Sequence, residues 1–140
     1  MAETSFLIGK SSIVPPDGWR FVSQEDDRLV FRTDKQQATI GLVRFDKEVT
    51  SEEFKIPCDI RVKGEKKFLK DGYVELEPQF RDRDILGSFF YGADKSSGRV
   101  FFGYLCSASK EVVTIYVEGI GVDPVVHGAD FRAFVKALRT

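Results

Sequence analysis

Histidine occurs once in this sequence, at His127, and cysteine twice, at Cys58 and Cys106. One imidazole and two distant thiols have no metal-ligand spacing, so no metal site is expected. Two cysteines are also too few for a disulfide scaffold, and they read as reduced, buried small hydrophobes. No apolar run approaches the ~18 residues that a membrane-crossing helix needs, so no membrane insertion is expected. The opening stretch, MAETSFLIGKSS, lacks a basic n-region and an apolar h-region. No secretory leader is therefore expected, and a cytoplasmic location follows. Net charge is −1, which gives no overall attraction to nucleic acid or anionic lipid. Gly119-Ile120-Gly121 lacks the third glycine of a phosphate-binding loop, so no cofactor is expected and the segment reads as a strand exit. Internal repeats, linkers and low-complexity tracts are absent, which makes residues 1–140 a single domain on length.

Phenylalanine is plentiful, at 13 residues, and it concentrates where β-branched residues do. Val100 to Cys106 and Val112 to Glu118 read as an antiparallel hairpin joined by the polar residues Ser107 to Glu111. Pairing Cys106 with Val112 puts Leu105 opposite Val113, Gly103 opposite Ile115 and Phe101 opposite Val117. The odd-numbered residues then share an almost wholly apolar face. The even-numbered face carries Val100, Phe102, Tyr104, Cys106, Val112, Thr114, Tyr116 and Glu118. Asp123-Pro124, or Asp130, starts a closing helix on which Phe131, Phe134, Val135 and Leu138 form one stripe. The expectation is that Phe131, Phe134 and Leu138 pack on Phe101, Ile115 and Val117.

Upstream, Ser5 to Val14 reads as a weak strand or two short ones, and Pro15-Pro16-Asp17-Gly18 as a turn. Trp19, more often a core plug than a binding anchor after such a turn, opens the run Arg20-Phe21-Val22. Arg28 to Arg32 and Gln37 to Phe45 follow as strands, with Ala38, Ile40 and Leu42 on one face. Thr50 and Glu53 match a capping box. Phe54, Cys58, Val62, Glu65 and Leu69 continue at helical spacing, and Lys66, Lys67 and Lys70 before Gly72 suit a helix end. Pro57 argues for a break, with the main helix over 57–70. The strict alternation of Phe54, Ile56, Cys58, Ile60 and Val62 is the strand alternative. Tyr73 to Glu77 and Ile85 to Tyr91 complete the strands, with the charged run Arg81 to Asp84 between them. The fold class is α+β: a mainly antiparallel sheet of about six strands, a middle helix and a C-terminal helix packed on it.

Chemistry is sparse. Cys106, His127 and Asp130 are the one nucleophile–base–orienter set the sequence offers, and no nucleophile motif surrounds Cys106, so the expectation is that the protein is not an enzyme. The basic run Arg61, Lys63, Lys66, Lys67 and Lys70, and the acidic Glu75, Glu77, Asp82 and Asp84, read as solvated faces or as sides of a steered protein contact. The mixed hairpin face is the most informative feature. Phe102, Tyr104, Thr114 and Tyr116 are expected to lie together there as a protein-binding surface, because tyrosine combines apolar area with a hydroxyl. Coverage of that face by the middle helix is the alternative.

Pro16-Asp17-Gly18-Trp19, the Thr50-x-x-Glu53 helix start and the closing strand–helix with its phenylalanines resemble the PsbP-like superfamily. That group includes Ran-binding nuclear-transport accessory proteins, DcrB-like lipoproteins and cytoplasmic chaperones of secreted toxic effectors. The resemblance implies an antiparallel sheet with helices packed on it and mostly non-catalytic binding roles. It also implies a long middle helix, which Pro57 and Gly64 would interrupt. The functional expectation is a cytoplasmic protein that binds another protein, such as a bacterial toxin or a secreted effector, as an immunity protein or an effector chaperone. A homodimer is left open. A thiol-dependent enzyme using Cys106 and His127, and a small-molecule binder between sheet and helix, are the alternatives.

Overall fold

The computed structural model describes residues 4–140, so the first three residues of the expected leaderless start lie outside the described residues. Two short strands, β1 (Phe6–Ile8) and β2 (Ser11–Ile13), precede β3 (Arg20–Glu25), β4 (Arg28–Arg32) and β5 (Gln36–Arg44). Helix α1 (Ser51–Phe68) leads to β6 (Gly72–Leu76), β7 (Phe80–Asp82), β8 (Ile85–Asp94), β9 (Arg99–Ser107) and β10 (Glu111–Ile120). Helix α2 (Pro124–Ala137) and the short β11 (Leu138–Arg139) close the chain. The large sheet runs β3-β4-β5-β10-β9-β8-β6, with β7 also on β8, and a small sheet runs β1-β2-β11. Eight strands in the large sheet exceed the six expected. The extra pieces are short: β7 falls in the charged run Arg81 to Asp84, where composition argued for a break.

Helix α1 is one unbroken helix through Pro57 and Gly64, which corrects the expected break and dismisses the strand alternative. The capping box fixes its start: Glu53 N donates to Thr50 Oγ1 at 3.2 Å and Thr50 N donates to Glu53 Oε1 at 3.2 Å. Glu52 and Glu53 lie at its positive end and Lys66 and Lys67 at its negative end, as the helix dipole favours. Pro57 removes a single backbone donor. The helical spacing of Phe54, Cys58 and Val62 buries all three on one stripe, and that burial outweighs the lost bond. Strand alternation instead would have buried Ile56 and Ile60, which are exposed.

The β9–β10 register differs by one residue from the one the sequence suggested. Ser107 pairs with Val112, Cys106 with Val113, Leu105 with Thr114 and Phe101 with Glu118. Because side chains alternate, that single step joins the even residues of β9 to the odd residues of β10. On one face, Cys106, Val113, Ile115 and Val117 pack with Phe131, Phe134, Trp19, Leu29 and Phe31, with Phe102, Tyr104 and Leu138 at the margin. On the other, Phe101, Leu105, Val112 and Tyr116 pack with Phe54, Cys58 and Val62 of α1. Phe131 and Phe134 therefore meet Ile115 and Val117 as expected, while Phe101 is on the opposite face. Leu138 has left the helix and pairs with Ile13.

The second helix starts at Asp123, whose carboxylate accepts from Val125 N at 2.9 Å, with Pro124 at the first helical position. It packs on β10 and β9, and the small sheet extends that layer. The first helix packs on β6 and β8 of the other face. Each face of the wide sheet is thus covered over only part of its width.

Candidate functional site

Four residues expected on one surface divide between two. Phe102 and Tyr104 lie on the α2 face, and Thr114 and Tyr116 on the α1 face. The even-numbered hairpin face does not exist as a surface, because the register breaks it.

Beside α2, Phe102 and Tyr104 join an aromatic stack. Phe80 lies on Phe89 at 5.7 Å between ring centroids, Phe89 on Tyr104 at 4.7 Å, and Phe131 on Phe102 at 5.4 Å. Gly87 lets Phe80 lie flat on β8, since a Cβ there would meet the Phe80 ring at 2.4 Å. Both Phe102 and Tyr104 are half-buried.

Beside α1, strands β10 and β5 form the floor of a groove. Leu42, Ile40 and Ala38 point to the α2 face, so Val43, Gly41 and Thr39 point into the groove. Thr114 lies opposite Gly41 and Tyr116 opposite Thr39. The wall is the side of α1 that its buried stripe leaves outward: Ile56, Pro57, Ile60 and Arg61. Ile56 is 57% exposed, Ile60 65% and Val43 47%, so the rim of the groove is apolar and open. Two hollows make up its length. One of ≈ 250 Å³ lies among Val43, Phe45, Ile56, Pro57, Ile60 and Leu105. Its neighbour, of ≈ 350 Å³, shares Val43, Arg61 and Thr114 with it and reaches Asp27, Tyr116 and Glu118. Neither hollow is enclosed by the fold.

Tyr116 is the pivot of this site rather than an exposed anchor. It is 5% exposed. Its hydroxyl accepts from Arg99 Nη1 at 2.8 Å, and the Arg61 guanidinium lies 4.2 Å above its ring. Glu65, buried on α1, binds both guanidiniums, Arg61 at 3.1 Å and Arg99 at 3.1 Å. Burial pushes the Tyr116 hydroxyl well above the usual range, and the charges of Glu118 and Glu65 add to this. Gly103 is obligatory beneath the cluster, since a Cβ there would meet the Phe90 ring at 2.0 Å. The remaining carboxylate, Glu118, has a raised pKa, chiefly through burial, with Glu65 adding and Arg99 and Arg61 opposing. Sequence reasoning missed Glu65 and Arg99 as partners. The only local signal was a glutamate on the apolar stripe of a helix, which demands a cation when buried.

Lys63, Lys66, Lys67 and Lys70 are exposed, while Arg61 of the same run belongs to the groove. Trp19 is buried, edge-on to Phe134 at 4.8 Å. His127 is fully buried, with Nδ1 2.7 Å from Gln36 Oε1 and Nε2 3.0 Å from Val117 O. Both ring nitrogens therefore face groups other than Cys106. Asp130 Oδ2 accepts from Gln36 Nε2 at 2.8 Å, one link further from the ring. Burial holds the His127 pKa below its ordinary value, against the pull of Val117 O and the Asp130 charge. Burial also pushes the Cys106 thiol up to about 12 and the Cys58 thiol up to about 11, where Asp59 adds to the effect. Both cysteines are free. In the native protein they should react with a colorimetric disulfide reagent only as fast as the fold opens, and stoichiometrically in denaturant. Rapid reaction of Cys106 at neutral pH would contradict this burial and revive the thiol reading.

No family model matches the chain, and no curated protein matches it in sequence. Solved structures do. The solution structure of cyanobacterial PsbP (CyanoP) from Synechocystis sp. PCC 6803 superimposes with a TM-score of 0.72 at 11% identity, over 100% of this chain and 94% of that one. The crystal structure of LpqN, a protein involved in cell envelope biogenesis of Mycobacterium tuberculosis, superimposes with a TM-score of 0.61 at 12% identity, over 98% and 89%. The fold is PsbP-like. Among the described residues no helix is long and apolar enough to cross a membrane.

Proposed function

We propose that this protein works by binding another polypeptide in the groove between α1 and strands β10 and β5. One observation carries the reading: Ile56, Ile60 and Val43 line an open groove with their apolar surface turned outward. Surface hydrophobes scattered singly need no explanation, but three along one concavity mark an interaction site. Thr114 and Tyr116 remain in the proposed site, Thr114 as floor and Tyr116 as the support under Arg61. Phe102 and Tyr104 leave it. The finer form of the proposal is an immunity protein that neutralises a toxin or a chaperone of a secreted effector, each of which acts by covering a partner's surface. The two free cysteines support a cytoplasmic setting. The likeness to LpqN, itself an envelope-biogenesis protein, favours the cell envelope as the second setting.

The test is retention of protein from native lysate by wild type and by an Ile56→Asp/Ile60→Asp double variant, beside thermal melts. Both positions are exposed, so stability should change by only about 0.5 kcal/mol per site. Capture of the partner is expected to disappear. Undiminished capture by the double variant would remove the groove from the proposal.

A further inference from the structure

We infer that His127, Gln36 and Asp130 form a proton-operated latch between α2 and the start of β5. The latch is closed, with Gln36 bonded to Asp130, when the imidazole carries two protons. It is open, with the Gln36 amide turned over and Asp130 turned to water, when the ring carries one. It lies on the α2 side of the sheet and does not depend on the groove.

The number of protons available decides which links can form. Both nitrogens of the buried ring face oxygens: Nε2 the Val117 carbonyl at 3.0 Å, Nδ1 the Gln36 Oε1 at 2.7 Å. A carbonyl oxygen only accepts, so each contact needs a proton on the ring. A neutral imidazole has one N–H and satisfies one contact. The Val117 carbonyl is fixed within β10 and cannot turn away. The single proton of a neutral ring therefore belongs on Nε2. Nδ1 is then a bare acceptor, 2.7 Å from another acceptor. Half a turn of the Gln36 amide repairs that contact by presenting its NH2 to Nδ1. The same turn brings Oε1 to Asp130 Oδ2, to which Nε2 of the closed latch donates at 2.8 Å. Two acceptors repel there. Asp130 is half-buried and has no other hydrogen-bond partner among the described residues, so its carboxylate can leave for water. One further proton, taken up by the ring, closes every link at once.

Few charges act on that proton. Phe102 of β9 packs on the ring at 5.6 Å between centroids and does not titrate. From β10 the ring meets the Val117 carbonyl, and from β5 the uncharged Gln36. Among the described residues no carboxylate lies within 4.0 Å of the ring. On α2 itself, the Asp130 charge favours the second proton. The Arg132 guanidinium beside Gly128 and the positive end of the helix oppose it. Burial lowers the ring's affinity for the proton, so the latch is open at neutral pH and closes on acidification. The unfolded chain takes its proton at the ordinary imidazole value, about pH 6.5, and the folded chain at a lower one. Acidification through that window therefore weakens the fold until the latch closes.

His127 is the single histidine, so one imidazole gives the whole readout. The experiment is ring-nitrogen NMR of the isotopically labelled full-length protein, from about pH 8 to about pH 4. At the high end Nε2 alone should carry a proton. At the low end both nitrogens should be protonated, and the Gln36 side-chain amide signals should move with the same midpoint. Asp130→Asn should lower that midpoint by about one unit. Gln36→Met cuts the link between the two groups, and in that background Asp130→Asn should move the midpoint by about half as much or less. Melting temperatures show whether the variants stay folded. A proton on Nδ1 at high pH, or a ring that stays neutral until the fold is lost, would overturn the inference. Equal effects of Asp130→Asn with and without Gln36 would also overturn it, because Asp130 would then act only as a charge through space. If Gln36→Met does not fold, the wild-type Gln36 amide decides alone: signals that ignore the ring's midpoint would overturn the latch.

Discussion

Replacing Phe134 by alanine should cost about 3–5 kcal/mol of folding stability, measured by chemical denaturation. Phe134 is 0% exposed. Its ring meets Trp19 edge-on at 4.8 Å and Phe31 at 5.9 Å, so one side chain ties α2 to the Trp19 corner and to β4. Truncation removes the apolar area and leaves a cavity between a helix and a sheet that cannot close without moving both. A domain of this size has only about 5–15 kcal/mol to lose, so the variant should be marginal. Phe134→Leu, which keeps most of the volume, should cost much less. A loss below about 1 kcal/mol for the alanine variant would mean that α2 is not held by this stripe.

Glu65→Ala should destabilise the fold by about 3–5 kcal/mol, for a different reason. Glu65 is 4% exposed and is the shared acceptor of Arg61 and Arg99. Without it, two guanidiniums remain beneath α1 with no bonded carboxylate, and the side chain of Arg99 is 15% exposed. Removing one member of a buried ion pair is costly because the other charge stays behind. Replacing the pair together, as Glu65→Ala with Arg99→Met, should therefore recover part of the loss. Additive losses in that double-mutant cycle would contradict a coupled cluster.

The strands, both helices and the PsbP-like architecture were legible because long periodic segments and caps carry strong local signals. Thr50 with Glu53, and Asp123 with Pro124, marked both helix starts. The β9–β10 register was not legible. β9 presents large apolar or aromatic residues on both sides, Phe101 and Leu105 on one, Phe102 and Tyr104 on the other. Hydrophobic pattern therefore could not choose its parity, and the choice fell to the turn. Ser109 adopts φ +105° there, a left-handed conformation that nothing in Ser107 to Glu111 announces. One residue of turn length moved Phe101 to α1 and divided the expected binding residues between two faces. Pro57 was misleading for the opposite reason: a strong local rule was overridden by burial along the whole stripe.

The central claim is that binding occurs in the α1 groove and not on the aromatic stack beside α2. Chemical-shift mapping of isotopically labelled protein, titrated with the partner that the wild-type protein retains from lysate, tests it most directly. The account predicts shifts concentrated at Val43, Ile56, Ile60, Thr114 and Glu118, with Phe89, Phe102 and Tyr104 unmoved. Shifts centred on Phe80, Phe89 and Tyr104, with the groove silent, would contradict it.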